Sequence, residues 1–199
     1  MTAVGGVLLF PGAGGSSASP SLVAVDKALV AAVEAPGGGP LPVVRADFAY
    51  RREGRRAPDR PPKLLAAVRD EAAALAAAAG ADPASLVLGG RSMGGRMCSM
   101  AVAEGLPGAG LVLMAYPLHP PGRPERLRIE HFPALDVPCL FVSGTRDPFG
   151  TPEEMEAHTA AIPGPVTHRW IEGGRHELKG ADATVGAIVA EWVAALTRH

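Results

Sequence analysis

Residues 86–95 read Leu-Val-Leu-Gly-Gly-Arg-Ser-Met-Gly-Gly, a short apolar run that ends in glycines around one serine. Within it, Gly90-Arg91-Ser92-Met93-Gly94 fits the pattern G-x-S-x-G. The pattern has a physical basis. A sharp turn from a strand into a helix forces the serine into a strained backbone conformation and lifts its hydroxyl clear of the chain. Its neighbours must be small so that other backbone can pass close by. The pentapeptide alone is also what a glycine-rich turn with an incidental serine looks like. Context decides between the two, because Ser85–Gly89 reads as a strand and Ser92–Glu104 as a helix.

Working outward, the same alternation fills the chain. Strands are predicted at Gly5–Pro11, Leu41–Asp47, Ser85–Gly89, Leu111–Ala115, Cys139–Ser143 and Thr167–Ile171. A helix is predicted over Pro20–Ala35, where Leu22, Val25, Leu29 and Val33 recur at helical spacing behind Ser19 as N-cap and Pro20 in the first turn. Pro62–Ala79 is a second helix, rich in alanine because alanine is the best helix former. Ser92–Glu104, Pro152–Ala161 and Ala181–Thr197 complete the helices. Pro117–Pro138 is a long proline-rich connection with room for one short helix near Pro124–Glu130. The strands are continuous apolar runs, the mark of strands buried on both faces. The expected fold class is therefore α/β: a three-layer α/β/α sandwich around a mostly parallel six-stranded sheet, in one domain over residues 1–199. Functional groups in such sheets lie beyond the carboxyl ends of the strands.

A chain of 199 residues, 47% of them hydrophobic, is long enough for a packed core. Its net charge of −1 gives no global pull toward nucleic acid or an anionic membrane, and neither is expected as a partner. Cys98 and Cys139 sit in separate apolar segments and read as free buried thiols in a reducing compartment. The start, MTAVGGVLLFPGAGG, has no basic stretch, and its apolar run Val7–Phe10 is too short for a signal segment. Nothing approaches the roughly 18 apolar residues of a membrane span. The expectation is a soluble cytoplasmic protein; the oligomeric state is not legible.

A serine hydroxyl is a weak nucleophile until a base takes its proton. There are six histidines. His168 lies inside a predicted strand, His158 on a helix, and His199 at the last position. His119 and His131 fall in the proline-rich connection. His176, in Gly173-Gly174-Arg175-His176, directly follows the last strand, where a base can lean over the site. Such a base needs a carboxylate to fix its tautomer. Asp147, in Ser143-Gly144-Thr145-Arg146-Asp147-Pro148, follows the fifth strand. Asp47 also ends a strand but precedes the serine, and Glu172 is close to His176 in sequence. Ser92, Asp147 and His176 are thus the candidate catalytic residues. An oxyanion hole needs two backbone N–H donors. Met93, just after the serine, and Ala13, in the loop Pro11-Gly12-Ala13-Gly14-Gly15 after the first strand, are the candidates.

That glycine-rich loop also suggests a dinucleotide site. Ser17 stands where the third glycine of that fingerprint belongs, however, and Asp47 lies beyond the usual spacing for the ribose acid. No H-E-x-x-H or paired-cysteine pattern is present. No cofactor and no metal are expected.

With these residues in order, the chain resembles the α/β-hydrolase superfamily. More narrowly, it resembles the small, lidless, dienelactone-hydrolase-like branch that includes the testis-expressed and NSL-complex-subunit type. LLFPGAGG, RRAPDRPPKL, LVLGGRSMGGRM, MAYPLHPPGRPERLR, LFVSGTRDPFGTPEEM and IEGGRHELK carry the resemblance and span most of the chain. It implies a six-stranded core without the two leading strands of the full fold. It also implies hydrolysis of a small acyl ester or thioester through an acyl-enzyme. Some relatives are subunits of a chromatin complex, so the alternative is a non-catalytic interaction module. Pro11 stands where many relatives have a histidine, which puts the hydrogen bonding of that loop in question. The Pro117–Pro138 insert is too short for a full lid, so an open site is expected. His119, which begins it, is either a substrate contact or a histidine bonded to the loop backbone. Arg51, Arg52, Arg55, Arg56 and Arg60 are read as a solvated, internally paired loop rather than an anion-binding patch. Arg91 and Arg96 are read as structural anchors.

Overall fold

A strand that is apolar on both faces is stable only between two layers. In the computed structural model, which describes residues 3–197, four such strands and two partly exposed edge strands form one sheet. They are β1 (Gly6–Phe10), β2 (Val43–Arg45), β3 (Leu86–Arg91), β4 (Gly110–Met114), β5 (Cys139–Gly144) and β6 (Val166–Ile171). Every pairing is parallel, in the order β2-β1-β3-β4-β5-β6. The side-chain alternation of each strand divides its residues between two cores. In β1, Leu8 and Phe10 face one core, and Val7 and Leu9 the other. In β5, Cys139 and Phe141 face the first, and Leu140 and Val142 the second.

Helices cover both faces. α3 (Pro61–Ala79) and α4 (Met93–Ala103) pack on the first core, which also takes Met155 of α5 (Pro152–Thr159). α1 (Pro20–Ala32) and α6 (Asp182–Leu196) pack on the second. Gly186 of α6 lets that pair approach closely, since a Cβ there would lie 2.8 Å from the Ala24 carbonyl oxygen. Prolines open α1, α3 and α5, where a missing N–H costs nothing. Among the described residues no helix is long and apolar enough to cross a membrane. Both cysteines are free and buried: Cys98 Sγ points at the Gly89 carbonyl, and burial pushes the Cys139 thiol up to about 12.

The chain leaves β1 to one side to make β2 and returns on the other to make β3. This reversal opens a crevice between the carboxyl ends of β1 and β3, where loops from neighbouring strands diverge. The glycine-rich loop after β1 and the serine turn after β3 flank it.

Three local expectations change. The connection near Pro124–Glu130 is not helical; the one helical turn in that insert is a 3₁₀ turn at Phe132–Ala134. Its backbone is engaged elsewhere: Arg128 N–H donates to Leu118 O, and Tyr116 Oη donates to Arg128 O. Those bonds fold the segment back on its own start and leave no i−4 ladder. A one-turn helix, α2 (Ala49–Arg52), forms where a loop was expected, held down by the buried rings of Phe48 and Tyr50. Ser19 precedes α1, but its hydroxyl accepts from Ser16 N–H rather than capping the helix.

Phe141 lies at the centre of the first core, fully buried and ringed by Tyr116, Phe132 and His168 at 5.4–6.2 Å between centroids. Phe141→Ala is expected to lower stability by about 3–5 kcal/mol, measured by urea unfolding. A change under about 1 kcal/mol would mean that this cluster is not the core.

Candidate active site

Ser92 sits between β3 and α4 with φ 51° and ψ −117°. Such a φ is costly for a residue with a side chain, on the order of 1–3 kcal/mol, and it persists only where the surroundings enforce it. They do so here. Ser92 N–H donates to Met114 O of β4, and Arg96 N–H closes the first turn of α4 on Ser92 O. Gly90 and Gly94 face the end of β1, where a Cβ on either would lie 2.1 or 2.3 Å from the Phe10 carbonyl oxygen. Only hydrogen fits at both positions, so the glycines that flank the serine are set by the backbone of the neighbouring strand.

His176 follows β6 and meets the serine: Ser92 Oγ and His176 Nε2 are 2.9 Å apart. On its other side, His176 Nδ1 lies 2.8 and 3.1 Å from the Asp147 carboxylate oxygens. A carboxylate only accepts, so Nδ1 carries the proton and Nε2 of the neutral ring accepts from the serine hydroxyl. Asp147 is itself buried and also accepts from Phe149 N–H at 2.9 Å. The structure therefore brings together the three residues singled out by strand position, in one hydrogen-bonded chain. The loops that carry the acid and the histidine touch each other. A Cβ on Gly144 would lie 2.2 Å from Gly174 O, and Arg146 N–H donates to Gly174 O.

The loop after β1 lies beside the serine, with the Cβ position of Gly12 only 3.4 Å from Ser92 Cβ. Neither Ala13 N–H nor Met93 N–H has a hydrogen-bond acceptor among the described residues. The loop is held from behind. Tyr50 Oη donates to Ala13 O at 2.7 Å, Gly15 N–H closes a turn on Gly12 O, and Asp47 accepts from both N–H and Oγ of Ser17.

A cavity of about 610 Å³ opens over Ser92, bounded by the 12–15 loop, Met93, Pro117, Phe149, His176 and Glu177, with Arg91, Arg96 and Arg128 in its wall. His119 does not line it. Its ring is held by Nδ1 on Pro120 O and Nε2 at 3.4 Å from the Glu154 carboxylate. The other described histidines are engaged elsewhere: His131 with Ser99 and His168 with Thr159, while His158 is on α5. His199 lies outside the described residues. No group of three or more His, Cys, Asp or Glu side chains is placed to hold a metal among the described residues. The arginine-rich loop stays away from the cavity. Arg52 pairs with Glu71, and Arg55 with Glu53 and Asp59.

Residues 4–195 match the family described as the alpha/beta hydrolase domain. The chain belongs to the alpha/beta hydrolases. Solved structures share the fold at low identity. An alpha-beta serine hydrolase homologue from Coxiella burnetii is 18% identical with a TM-score of 0.72, covering 96% of this chain and 86% of that one. Dienelactone hydrolase from Anabaena variabilis is 20% identical with a TM-score of 0.70, covering 94% and 84%. Est1E from Butyrivibrio proteoclasticus, solved with ferulic acid bound, is 18% identical with a TM-score of 0.72, covering 98% and 90%.

Several residues of this hydrolase site escaped the sequence reading. Phe149 stacks on His176, with centroids 3.9 Å apart, and braces the ring from the cavity side. Arg91, read from the sequence as an anchor, donates from Nη2 to His176 O at 2.9 Å and ties the histidine loop to the serine turn. Asp47 and Tyr50 hold the glycine loop. Asp47 carried a signal, being an acid at a strand end, but it serves the β1 loop rather than the histidine. Tyr50 and Phe149 gave none, because their contacts join segments that are distant in sequence.

Gly94→Ala is expected to lower stability by about 2 kcal/mol or more through the clash with Phe10 O. Gly14→Ala, where an added Cβ meets nothing within 4 Å, should stay within about 0.5 kcal/mol. Urea unfolding of both proteins checks this, and equal losses would contradict the stated role of Gly94.

Proposed function

We propose that this hydrolase cleaves a small acyl ester or thioester through a covalent acyl-serine. The observation that carries the reading is the linear chain Ser92 Oγ–His176 Nε2 and His176 Nδ1–Asp147, at 2.9 and 2.8 Å. In this reading Ser92 Oγ attacks the substrate carbonyl carbon while His176 Nε2 takes its proton. Asp147 holds the Nδ1 tautomer and stabilises the imidazolium. The tetrahedral oxyanion rests on the free N–H groups of Ala13 and Met93, the latter at the positive end of α4. The carbon–oxygen or carbon–sulfur bond then breaks, and the departing alcohol or thiol takes the proton from His176. Water attacks the acyl-serine, gives its proton to His176, and frees the acid; the proton returns to Ser92. One ester and one water yield one acid and one alcohol.

The strained Ser92 supports this reading over an interaction module. An interaction surface has no need of a positive φ at a serine, nor of a histidine and a buried aspartate aligned on it. The substrate is taken to be a small molecule, given the cavity volume of about 610 Å³.

A panel of short-chain acyl esters, thioesters and lactones, run with the wild type and variants, tests the reading. Ser92→Ala is expected to lower kcat by about 10⁴-fold or more, and Asp147→Asn by about 10³–10⁴-fold. Activity that survives Ser92→Ala overturns the mechanism. Tyr50→Phe, which frees Ala13 O, is expected to cost about 1 kcal/mol of stability and to lower kcat several-fold more than it changes KM. An unchanged kcat would detach Ala13 from the reaction.

A further inference from the structure

The walls of the cavity over Ser92 hold an uneven charge. Arg91, Arg96 and Arg128 line it, and Glu177 is the one carboxylate among the lining residues named with them. Four arginines outside the cavity meet acids: Arg45 with Asp26, Arg52 with Glu71, Arg55 with Glu53 and Asp59, and Arg69 with Glu104. None of the three cavity arginines forms an ion pair among the described residues. All three are partly buried. The Nε atoms of Arg91 and Arg96 are shielded from solvent and have no hydrogen-bond partner among the described residues.

Arg96 and Arg128 lie close enough to share an environment. Burial, and then the charge of Arg96, holds the Arg128 guanidinium below its ordinary value. Burial and the same Arg96 charge push His131 down to about 4, so His131 is neutral at pH 7 and adds no charge of its own. Glu130 and Glu104 act on His131 in the opposite direction, but neither forms an ion pair with Arg96. Two of the three arginines have a backbone contact: Arg91 Nη2 on His176 O, and Arg128 Nη1 at 3.5 Å from Pro117 O. Those contacts fix the direction of each fork without cancelling its charge.

Keeping like charges together in a partly desolvated wall is unfavourable unless something of opposite sign joins them. Anchoring does not explain the set, since the anchoring contact of Arg91 uses one of its five N–H donors. Guanidinium forks are the side chains best matched to a carboxylate or phosphate.

We propose that this cavity is built for an acyl substrate carrying an anionic group, a carboxylate or phosphate, which Arg96 and Arg128 bind while Ser92 attacks the acyl carbon. The inference rests on the hydrolase reading for the attack, but the anion site stands on the arginines alone. The pairing positions the scissile carbonyl and makes neutral acyl esters poor substrates.

The test compares matched esters with the wild-type protein. With charge on the acyl side, 4-nitrophenyl hydrogen glutarate is set against 4-nitrophenyl valerate. With charge on the alcohol side, 4-butyryloxybenzoate is set against 4-carbamoylphenyl butyrate. In at least one pair the anionic ester is expected to show kcat/KM about tenfold higher or more. The ratio should shrink several-fold in Arg96→Gln and in Arg128→Gln, and also when sodium chloride rises from about 0.05 to 0.5 M. Equal or higher kcat/KM for the neutral ester in both pairs overturns the anion site while leaving the hydrolase reading standing.

A second arm needs no turnover. Monomethyl glutarate and methyl valerate are titrated into Ser92→Ala by calorimetry. Tighter binding of the monoester, weakened by Arg128→Gln, supports the site even if no ester is hydrolysed. Equal binding contradicts it. Inorganic phosphate and acetate as competitors then identify the oxyanion taken: displacement by either is expected, and displacement by neither contradicts the proposal.

Discussion

Phe10 ends β1 with its carbonyl oxygen pressed toward Gly90 and Gly94, and a Cβ at either position would come within 2.3 Å of it. That close approach seats the turn after β3 on the end of β1. It brings the glycine-rich loop beside Ser92, with the Gly12 Cβ position 3.4 Å from Ser92 Cβ. It also holds Ser92 at a positive φ, because the chain must rise from strand to helix within one residue. The parallel register sets the rest. β4 supplies Met114 O to the Ser92 N–H, and the loops after β5 and β6 interlock through Gly144 and Gly174 to bring Asp147 and His176 to the same end of the sheet.

The site is thus built mostly of backbone. Four loops, after β1, β3, β5 and β6, meet over the crevice where the strand order reverses. Side chains then fix what backbone leaves free. Tyr50 and Asp47 hold the first loop, and Phe149 and Arg91 hold the histidine. The insert after β4, folded back on itself by Tyr116 and Leu118, carries Arg128 into the cavity wall and leaves the serine accessible. Electrostatics separates inside from outside. In the arginine-rich surface loop Arg52 and Arg55 pair with Glu71, Glu53 and Asp59, whereas none of the arginines around the serine is ion-paired among the described residues.

Much of this was legible in the sequence because it follows from period and position. Continuous apolar runs gave the strands and the buried parallel sheet. Asking which polar residues follow directly after a strand singled out Ser92, Asp147 and His176, which the fold brings within hydrogen-bonding distance. What was not legible depends on contacts between distant segments. The helix expected near Pro124–Glu130 does not form because tertiary bonds from Leu118 and Tyr116 claim that backbone. Tyr50 reaches Ala13 across 37 positions, and nothing local to either residue announces it. Arg91 and Arg96 looked like anchors beside a turn. Only the cavity shows that they share a wall with Arg128, brought in by a different loop.

The central claim is that Ser92 is activated by His176 and Asp147 to attack carbonyl carbon. A fluorophosphonate probe, followed by intact-mass measurement and peptide mapping, tests this without knowledge of the natural substrate. The account predicts one adduct per chain, mapped to Ser92, absent in Ser92→Ala and strongly slowed in His176→Ala. A folded wild-type protein that stays unlabelled, or one labelled equally in Ser92→Ala, would contradict it.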